Sequence, residues 1–355
     1  MAGYDPFARG PFPAGVVTAQ LERDGRALPV ELWYPASEGY AELDLNDATR
    51  DTYEILPGLP AVTQDAVRDA TPRSGRFPLV VFSHGYGGHR RQSTFLCTHL
   101  APPRSVVAAV EHTGNTVLDV MATLQARQSG RGTPEPDAVL RQFVAARPAD
   151  VVFTIDRVLA GEGDLASHVD PARIGMAGHS FGGWTTLVVT AREARIRATL
   201  ALAPAGGASP LPVRVLRESL EVAPDRAVPT LVIVAERDTL LPLAGMRELV
   251  ERTCANARLV VLKNADHMHF CDRVEEVHEI FRLMPHDPLF EPIQKAILPI
   301  TELCPGEHGH LATRGLGLAH MDAYLKASAE AQRFLGGDLR AALAERGVAV
   351  DVLPA

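Results

Sequence analysis

Nowhere in the chain do about 18 apolar residues follow one another, so no membrane-spanning helix is expected. Long basic runs are missing too, and the formal net charge is -8. A chain of that sign and pattern is a poor partner for nucleic acid. Cysteines are few: Cys97, Cys254, Cys271 and Cys304, with no C-x-x-C and no metal-ligand spacing. Such a set reads as free thiols and not as a disulfide framework, with a Cys271–Cys304 bridge as the alternative. The first residues, Met1-Ala2-Gly3-Tyr4-Asp5-Pro6, lack a charged segment followed by an apolar one. A cytoplasmic protein is therefore expected, a mature secreted form being the alternative. Internal repeats are lacking, and nothing in the sequence fixes an oligomeric state. Charge is modest as well: 22% of residues are charged against 46% apolar, which excludes a disordered chain and allows a sizeable core.

What is present is an alternation of short β-branched runs with longer helical stretches, the pattern of a mostly parallel sheet covered by helices on both faces. The runs are Val16–Leu21, Pro29–Tyr34, Phe77–Ser83, Ser105–Glu111, Arg173–Ala177, Ala198–Ala203, Thr230–Ala235 and Arg258–Leu262. That predicts a central sheet of about eight strands. Asp24-Gly25 between the first two is a hairpin signal. Helices are expected over Pro148–Leu159 and Phe181–Ala194, and near 320–335 and 338–347. The whole of 1–355 reads as one domain. Three segments exceed the minimal pattern: 36–76, 113–147 (with Gly130-Arg131-Gly132-Thr133-Pro134) and 271–319. They read as lid-like insertions or as surface decoration.

Residues 178–182 read Gly-His-Ser-Phe-Gly, a G-x-S-x-G motif between a strand and a helical stretch. A serine that stands proud of a strand end needs a very sharp turn, and side chains two positions either side would collide with it. Ser180 is thus the candidate nucleophile. The helix that follows turns its free N–H groups and positive dipole end toward the same point, which favours a developing oxyanion. Its first amide, Phe181, is one candidate oxyanion donor. The strand FPLVVFS runs into His84-Gly85-Tyr86-Gly87-Gly88, and the Tyr86 amide is the other candidate. The Tyr86 side chain, His112 and Trp184 are candidate substrate contacts, packing being the plainer reading of Trp184 and of Trp33. His84 reads as ordering its loop, and His308 and His310 as surface loop residues.

A serine hydroxyl needs a histidine to take its proton, and that histidine needs a carboxylate to fix its tautomer. The expected order is Ser, then acid, then His. Asp238 lies just past TLVIVA and is the candidate acid, with Glu236 as rival. His267 lies in the loop after RLVVL and is the candidate base, with His269 and His320 as rivals. The His-Met-His pair lacks partners at ligand spacing, so no metal is expected.

These residues carry a resemblance to the α/β-hydrolase group that contains platelet-activating-factor acetylhydrolases, dienelactone-hydrolase-like proteins and bacterial polyester hydrolases. The matching stretches are Leu32-Trp33-Tyr34-Pro35, Phe82-Ser83-His84-Gly85, Val107–His112, Gly178–Gly183 and His267-x-x-Phe270. The resemblance implies the α/β-hydrolase fold, a Ser180–His267–Asp238 triad, oxyanion donors at Tyr86 and Phe181, and cleavage of carboxylic esters without a cofactor. One departure matters. In acetylhydrolases of the animal type the acid follows the strand after the elbow helix, where this chain reads Ala201-Leu202-Ala203-Pro204 with no carboxylate. That loosens the inference to phospholipids. The partner expected is a small or polymeric ester substrate. The rivals are another acyl bond (amide, thioester or lactone), acyl transfer, and a binding protein without turnover.

Overall fold

The computed structural model describes residues 3–56, 58–102, 105–132, 135–211, 214–220, 227–253, 256–284 and 290–354. Cys254, Thr133 and Pro134 lie outside the described residues, as do 285–289 of the third expected insertion. The chain divides into two compact units, Arg9–Ala177 and Met1–Ala8 with Gly178–Ala355.

The first unit opens with a hairpin, β1 (Ala14–Arg23) and β2 (Arg26–Pro35), paired in antiparallel register from Ala14–Pro35 to Arg23–Arg26. Asp24 and Gly25 both take positive φ at its tip, as a tight two-residue turn requires. Next come β3 (Thr52–Tyr53), β4 (Val62–Thr63) and β5 (Val67–Arg68), then β6 (Phe77–Ser83), α1 (Thr94–Leu100), β7 (Val106–Val110), α2 (Val117–Gln128), α3 (Pro136–Ala160) and β8 (Val169–His179). Sheet order within the unit is β5-β1-β2-β7-β6-β8. The continuous apolar runs of β6 and β7 pair in parallel and are buried throughout, as strands covered on both faces must be. Segment 36–76 is not bare loop. β3 pairs with β4, and β5 adds to β1. Trp33 is a packing residue, buried, with its indole N–H donating to Gln64 at 2.7 Å. Segment 113–147 is mostly helix, and α3 begins twelve residues before the expected start at Pro148. A proline costs a helix interior one hydrogen bond, which a 25-residue helix tolerates.

The second unit carries α4 (Phe181–Arg192), β9 (Ile196–Leu202), α5 (Arg214–Glu218), β10 (Thr230–Ala235), α6 (Leu243–Thr253), β11 (Ala257–Leu262), α7 (Val274–Leu283), α8 (Glu291–Ala296), α9 (Gly306–Leu325), α10 (Ala329–Gly336), α11 (Leu339–Ala344) and β12 (Val350–Pro354). Its sheet order is β9-β10-β11-β12, parallel except for the last strand. The single helix expected near 320–335 is two. Ser328 accepts from the Ala331 amide at 3.2 Å and caps a new start, and Ala327 turns with φ +51. His308 and His310 sit on α9, not in a surface loop, and His310 donates to the Cys271 carbonyl at 2.7 Å. Among the described residues the sheet strands of the two units number ten against the eight expected. The additions are β5, only two residues long, and β12, an edge strand after the last helix; both are made by pairing and carry no strong local signal. No helix among the described residues is long and apolar enough to cross a membrane.

Beneath β6 and β7 lies a buried polar chain. Asp150 accepts from Arg23 at 2.9 Å and Arg26 at 2.5 Å, and from His112 Nδ1 at 3.1 Å. His112 Nε2 takes the Ser83 hydroxyl at 2.9 Å. Arg147 donates to Ser83 Oγ at 3.2 Å, to Asn115 at 2.5 Å and to the His84 carbonyl. Burial, then the Arg147 and Arg26 charges, hold His112 well below the ordinary histidine range, so an uncharged ring donates to the Asp150 carboxylate and the two form no ion pair. Arg147→Ala would leave several buried acceptors without their donor, which costs far more than removing a satisfied pair. It is expected to lower unfolding stability by on the order of 3 kcal/mol, read from the urea midpoint. An unchanged midpoint would show that water replaces the guanidinium.

Candidate active site

β8 ends at His179, and Ser180 takes φ +59, ψ -119, a backbone region that a side-chain-bearing residue occupies only when held there. Three bonds hold it. The Ser180 amide donates to Leu202 O at the end of β9 (2.8 Å), and Ser180 O accepts from Ala205 (2.9 Å) and Trp184 (3.0 Å). The flanking glycines are needed for space. A Cβ on Gly178 would lie 2.4 Å from Gly182 O, and one on Gly183 2.7 Å from Pro204 Cα, both immovable backbone. The serine is half-buried at the start of α4, and Phe181 opens that helix.

Ser180 Oγ lies 2.9 Å from His267 Nε2, and His267 Nδ1 lies 2.7 Å from Asp238 Oδ2. Asp238 Oδ1 accepts the amides of Leu240 and Leu241, each at 2.9 Å. The carboxylate is thus pinned by the turn after β10 and can only face the ring. His267 begins a short 3₁₀ turn, His267–Phe270, capped by Asp266, which accepts the His267 amide at 2.6 Å. Burial opposes charge on the His267 ring, but the Asp238 carboxylate, its hydrogen bond and Asp266 outweigh it and hold the imidazole above its ordinary value. Asp266 is itself pushed up, first by burial and then by the neighbouring Asp238 charge.

The rivals stand elsewhere. Glu236 pairs with Lys263 and accepts the Asn264 amide at 3.0 Å. His269 donates from Nε2 to Cys304 O at 2.9 Å. His320 donates to Pro229 O at 3.2 Å and is pushed down by burial to about 4. Trp184 is fully buried, its indole N–H on Leu216 O at 2.9 Å, so it packs the elbow and meets no solvent. His112, expected at a pocket mouth, is buried in the polar chain of the first unit, with both ring nitrogens engaged. His84 orders its loop: Nδ1 donates to Gly85 O at 2.7 Å, and Nε2 accepts the His112 amide at 3.1 Å. The Tyr86 side chain is exposed and stands edge-on to Phe143 at 6.2 Å. Cys271 and Cys304 carry free thiols. Sequence reasoning missed His179 and Asp266. Each is an immediate neighbour of a motif residue, with no spacing signal of its own.

Two family models match: "Platelet-activating factor acetylhydrolase, isoform II" over residues 20–132, and "Dienelactone hydrolase family" over residues 106–281. Among curated proteins the chain is 28% identical to platelet-activating factor acetylhydrolase of Gallus gallus over 211 residues, 48% of this chain and 49% of that one. It is 28% identical to a bis(hydroxyethyl) terephthalate hydrolase of Streptomyces coelicolor, over 49% of this chain and 44% of that protein. It is 27% identical to cutinase est1 of Thermobifida alba, over 48% and 46%. The chain spans about half the length of the curated relatives it matches. A ferulic acid esterase from Streptomyces cinnamoneus superposes with TM-score 0.63 at 24% identity, over 99% of this chain and 100% of the other. The fold is therefore that of the α/β-hydrolases, with a mostly parallel sheet, and the resemblance read from the motifs holds: the likeness is to esterases of that fold.

Gly178→Ala tests the elbow. The added carbon cannot be accommodated without moving Gly182, so Ser180 reactivity is expected to drop at least tenfold, with a destabilisation of about 1–3 kcal/mol. Rates of fluorophosphonate labelling and thermal unfolding read the two effects separately.

Proposed function

We propose that the chain is a carboxylic ester hydrolase acting through a covalent acyl-enzyme. The observation that carries this reading is the unbroken line from Ser180 Oγ through His267 to Asp238, at 2.9 and 2.7 Å, with the serine half-buried at a strained bend. His267, its Nδ1–H held by Asp238, takes the Ser180 proton as the oxygen attacks the ester carbonyl. The Phe181 amide at the start of α4 stabilises the oxyanion, and the motif after β6 assigns the Tyr86 amide to the same task. His267 then gives its proton to the leaving alcohol. Water, activated by the same ring, attacks the acyl-enzyme and releases the acid. No cofactor enters these steps.

Further support comes from the likeness to proteins named as an acetylhydrolase, a terephthalate hydrolase and a cutinase. The reading takes residues 1–355 as one hydrolase domain, with a small or polymeric ester as partner. A cytoplasmic location accords with the free thiols of Cys271 and Cys304.

Ser180→Ala is expected to reduce p-nitrophenyl acetate turnover by about 10⁴–10⁶ and to abolish fluorophosphonate labelling. Equal turnover in parent and variant would remove the proposal. The base works only when neutral, and, against burial, the Asp238 carboxylate raises its pKa above the ordinary histidine value. Activity is therefore lost as pH falls, and the acid limb of kcat/KM is expected above that value. Asp238→Asn removes the main raising influence and the tautomer lock. The limb should move down, while kcat falls by about 10⁴. A limb that stays in place would assign the titration to another group.

A further inference from the structure

His179 occupies the variable position of the elbow motif, directly before Ser180, and its side chain is buried. Its Nε2 lies 3.1 Å from the backbone carbonyl of His267, and its ring lies 4.6 Å from the His267 ring, centre to centre, at 44°. A carbonyl oxygen only accepts, so the proton is on Nε2. Nδ1 of a neutral ring is then an acceptor, and the Cys271 thiol stands 3.8 Å from it, at the end of the same short turn that His267 begins. Burial, followed by the His267 charge, keeps His179 well below the ordinary histidine range, and burial pushes the Cys271 thiol up. The pair therefore stays neutral, with the thiol as donor.

The geometry points to His179 as a positioning residue for the base: by bonding the His267 carbonyl and lying against its imidazole, it fixes the direction in which His267 Nε2 faces Ser180. The mechanical reason is simple. The bond from Nδ1 to Asp238 leaves the His267 ring free to swing about that line. Nε2 sits off the pivot, so a swing carries it away from the serine oxygen. A flat neighbour on one face stops the swing, and a bond to the carbonyl stops the backbone from following. Misplacing a reacting group by about 1 Å costs roughly 100-fold in rate. The neighbour must also be neutral, since a second positive ring would oppose the imidazolium formed when Ser180 gives up its proton. The inference rests on the roles proposed above for Ser180 and His267.

Two substitutions separate the bond from the ring. His179→Phe keeps a flat ring and loses the donor; His179→Gln places an amide N–H near Nε2 and loses the ring. Cys271→Ala removes the thiol that donates to His179 Nδ1 and serves as a third variant should His179→Phe fail to fold. For His179→Phe we expect kcat for p-nitrophenyl acetate to fall about 10–100-fold, KM to change less than about twofold, and the rate constant for fluorophosphonate labelling of Ser180 to fall in parallel. His179→Gln should recover at least half of the logarithmic loss, and Cys271→Ala should lose about 3–10-fold. Parental kcat and labelling in His179→Phe would overturn the inference, as would equal losses in Phe and Gln or a loss carried by KM. Retained activity in Ser180→Ala would instead overturn the hydrolase reading, so the two failures are distinguishable.

Discussion

The constraint on which the site depends is the bend at Ser180. A non-glycine residue at φ +59 is costly, and the cost is met by backbone bonds between Ser180 and Leu202, Trp184 and Ala205. Everything chemical follows from that position. The hydroxyl is lifted off the strand end, the first turn of α4 starts beneath it, and the loop after β11 has only to bring an imidazole to within 2.9 Å. The glycines at 178 and 183 matter because backbone occupies the space where their side chains would be. Sharp turn, close helix and raised hydroxyl are one feature described three ways.

The chain holds a second Ser–His–Asp line, and the contrast shows what such a line needs to react. Ser83, His112 and Asp150 repeat the hydrogen-bond order of Ser180, His267 and Asp238, at 2.9 and 3.1 Å. Yet Ser83 is wholly buried, and its oxygen also accepts from Arg147. A donor on the oxygen lowers its nucleophilicity, and burial bars any substrate. The two histidines also sit on opposite sides of their ordinary range. His112 is held down by burial and by Arg147 and Arg26, whereas the carboxylate beside His267 outweighs its burial. Asp150 cannot act on His112 as Asp238 does on His267, because Arg23 and Arg26 already share its charge. The Ser83 line is structural cement; the Ser180 line ends on a half-buried oxygen that, among the described residues, carries no such arginine.

Much of this was legible in the sequence because the elbow imposes its residues at fixed offsets. The glycines at 178 and 182 follow from sterics and Ser180 from its hydroxyl between them, and strand-end positions then pointed to Asp238 and His267. The choice of Asp238 over Glu236 turns on which carboxylate faces the ring. Glu236 is turned to Lys263 and Asn264, which no spacing rule reveals. The buried line from Arg23 to Arg147 was invisible for another reason. Its members are scattered over more than 120 positions and meet only once the sheet forms. β5 and β12 were missed because short edge strands take their conformation from a partner. Burial decides the two candidate contacts beside motifs: Trp184 packs, as its plainer reading has it, and His112 is buried away from any pocket mouth.

The histidines around Ser180 divide the work in a way their environments explain. His179, His269 and His310 each donate to a backbone carbonyl, of His267, Cys304 and Cys271, and each is held low chiefly by burial. Neutral rings of this kind act as clamps: they tie the turn from His267 to Cys271 without adding charge. His267 alone faces an ion-pairing carboxylate whose influence exceeds the burial penalty. When a proton leaves Ser180, the positive charge therefore has one low-energy place to go, and the surrounding rings do not compete for it. Proton traffic is directed by making one imidazole easy to charge and its neighbours hard to charge, in a loop those neighbours hold still.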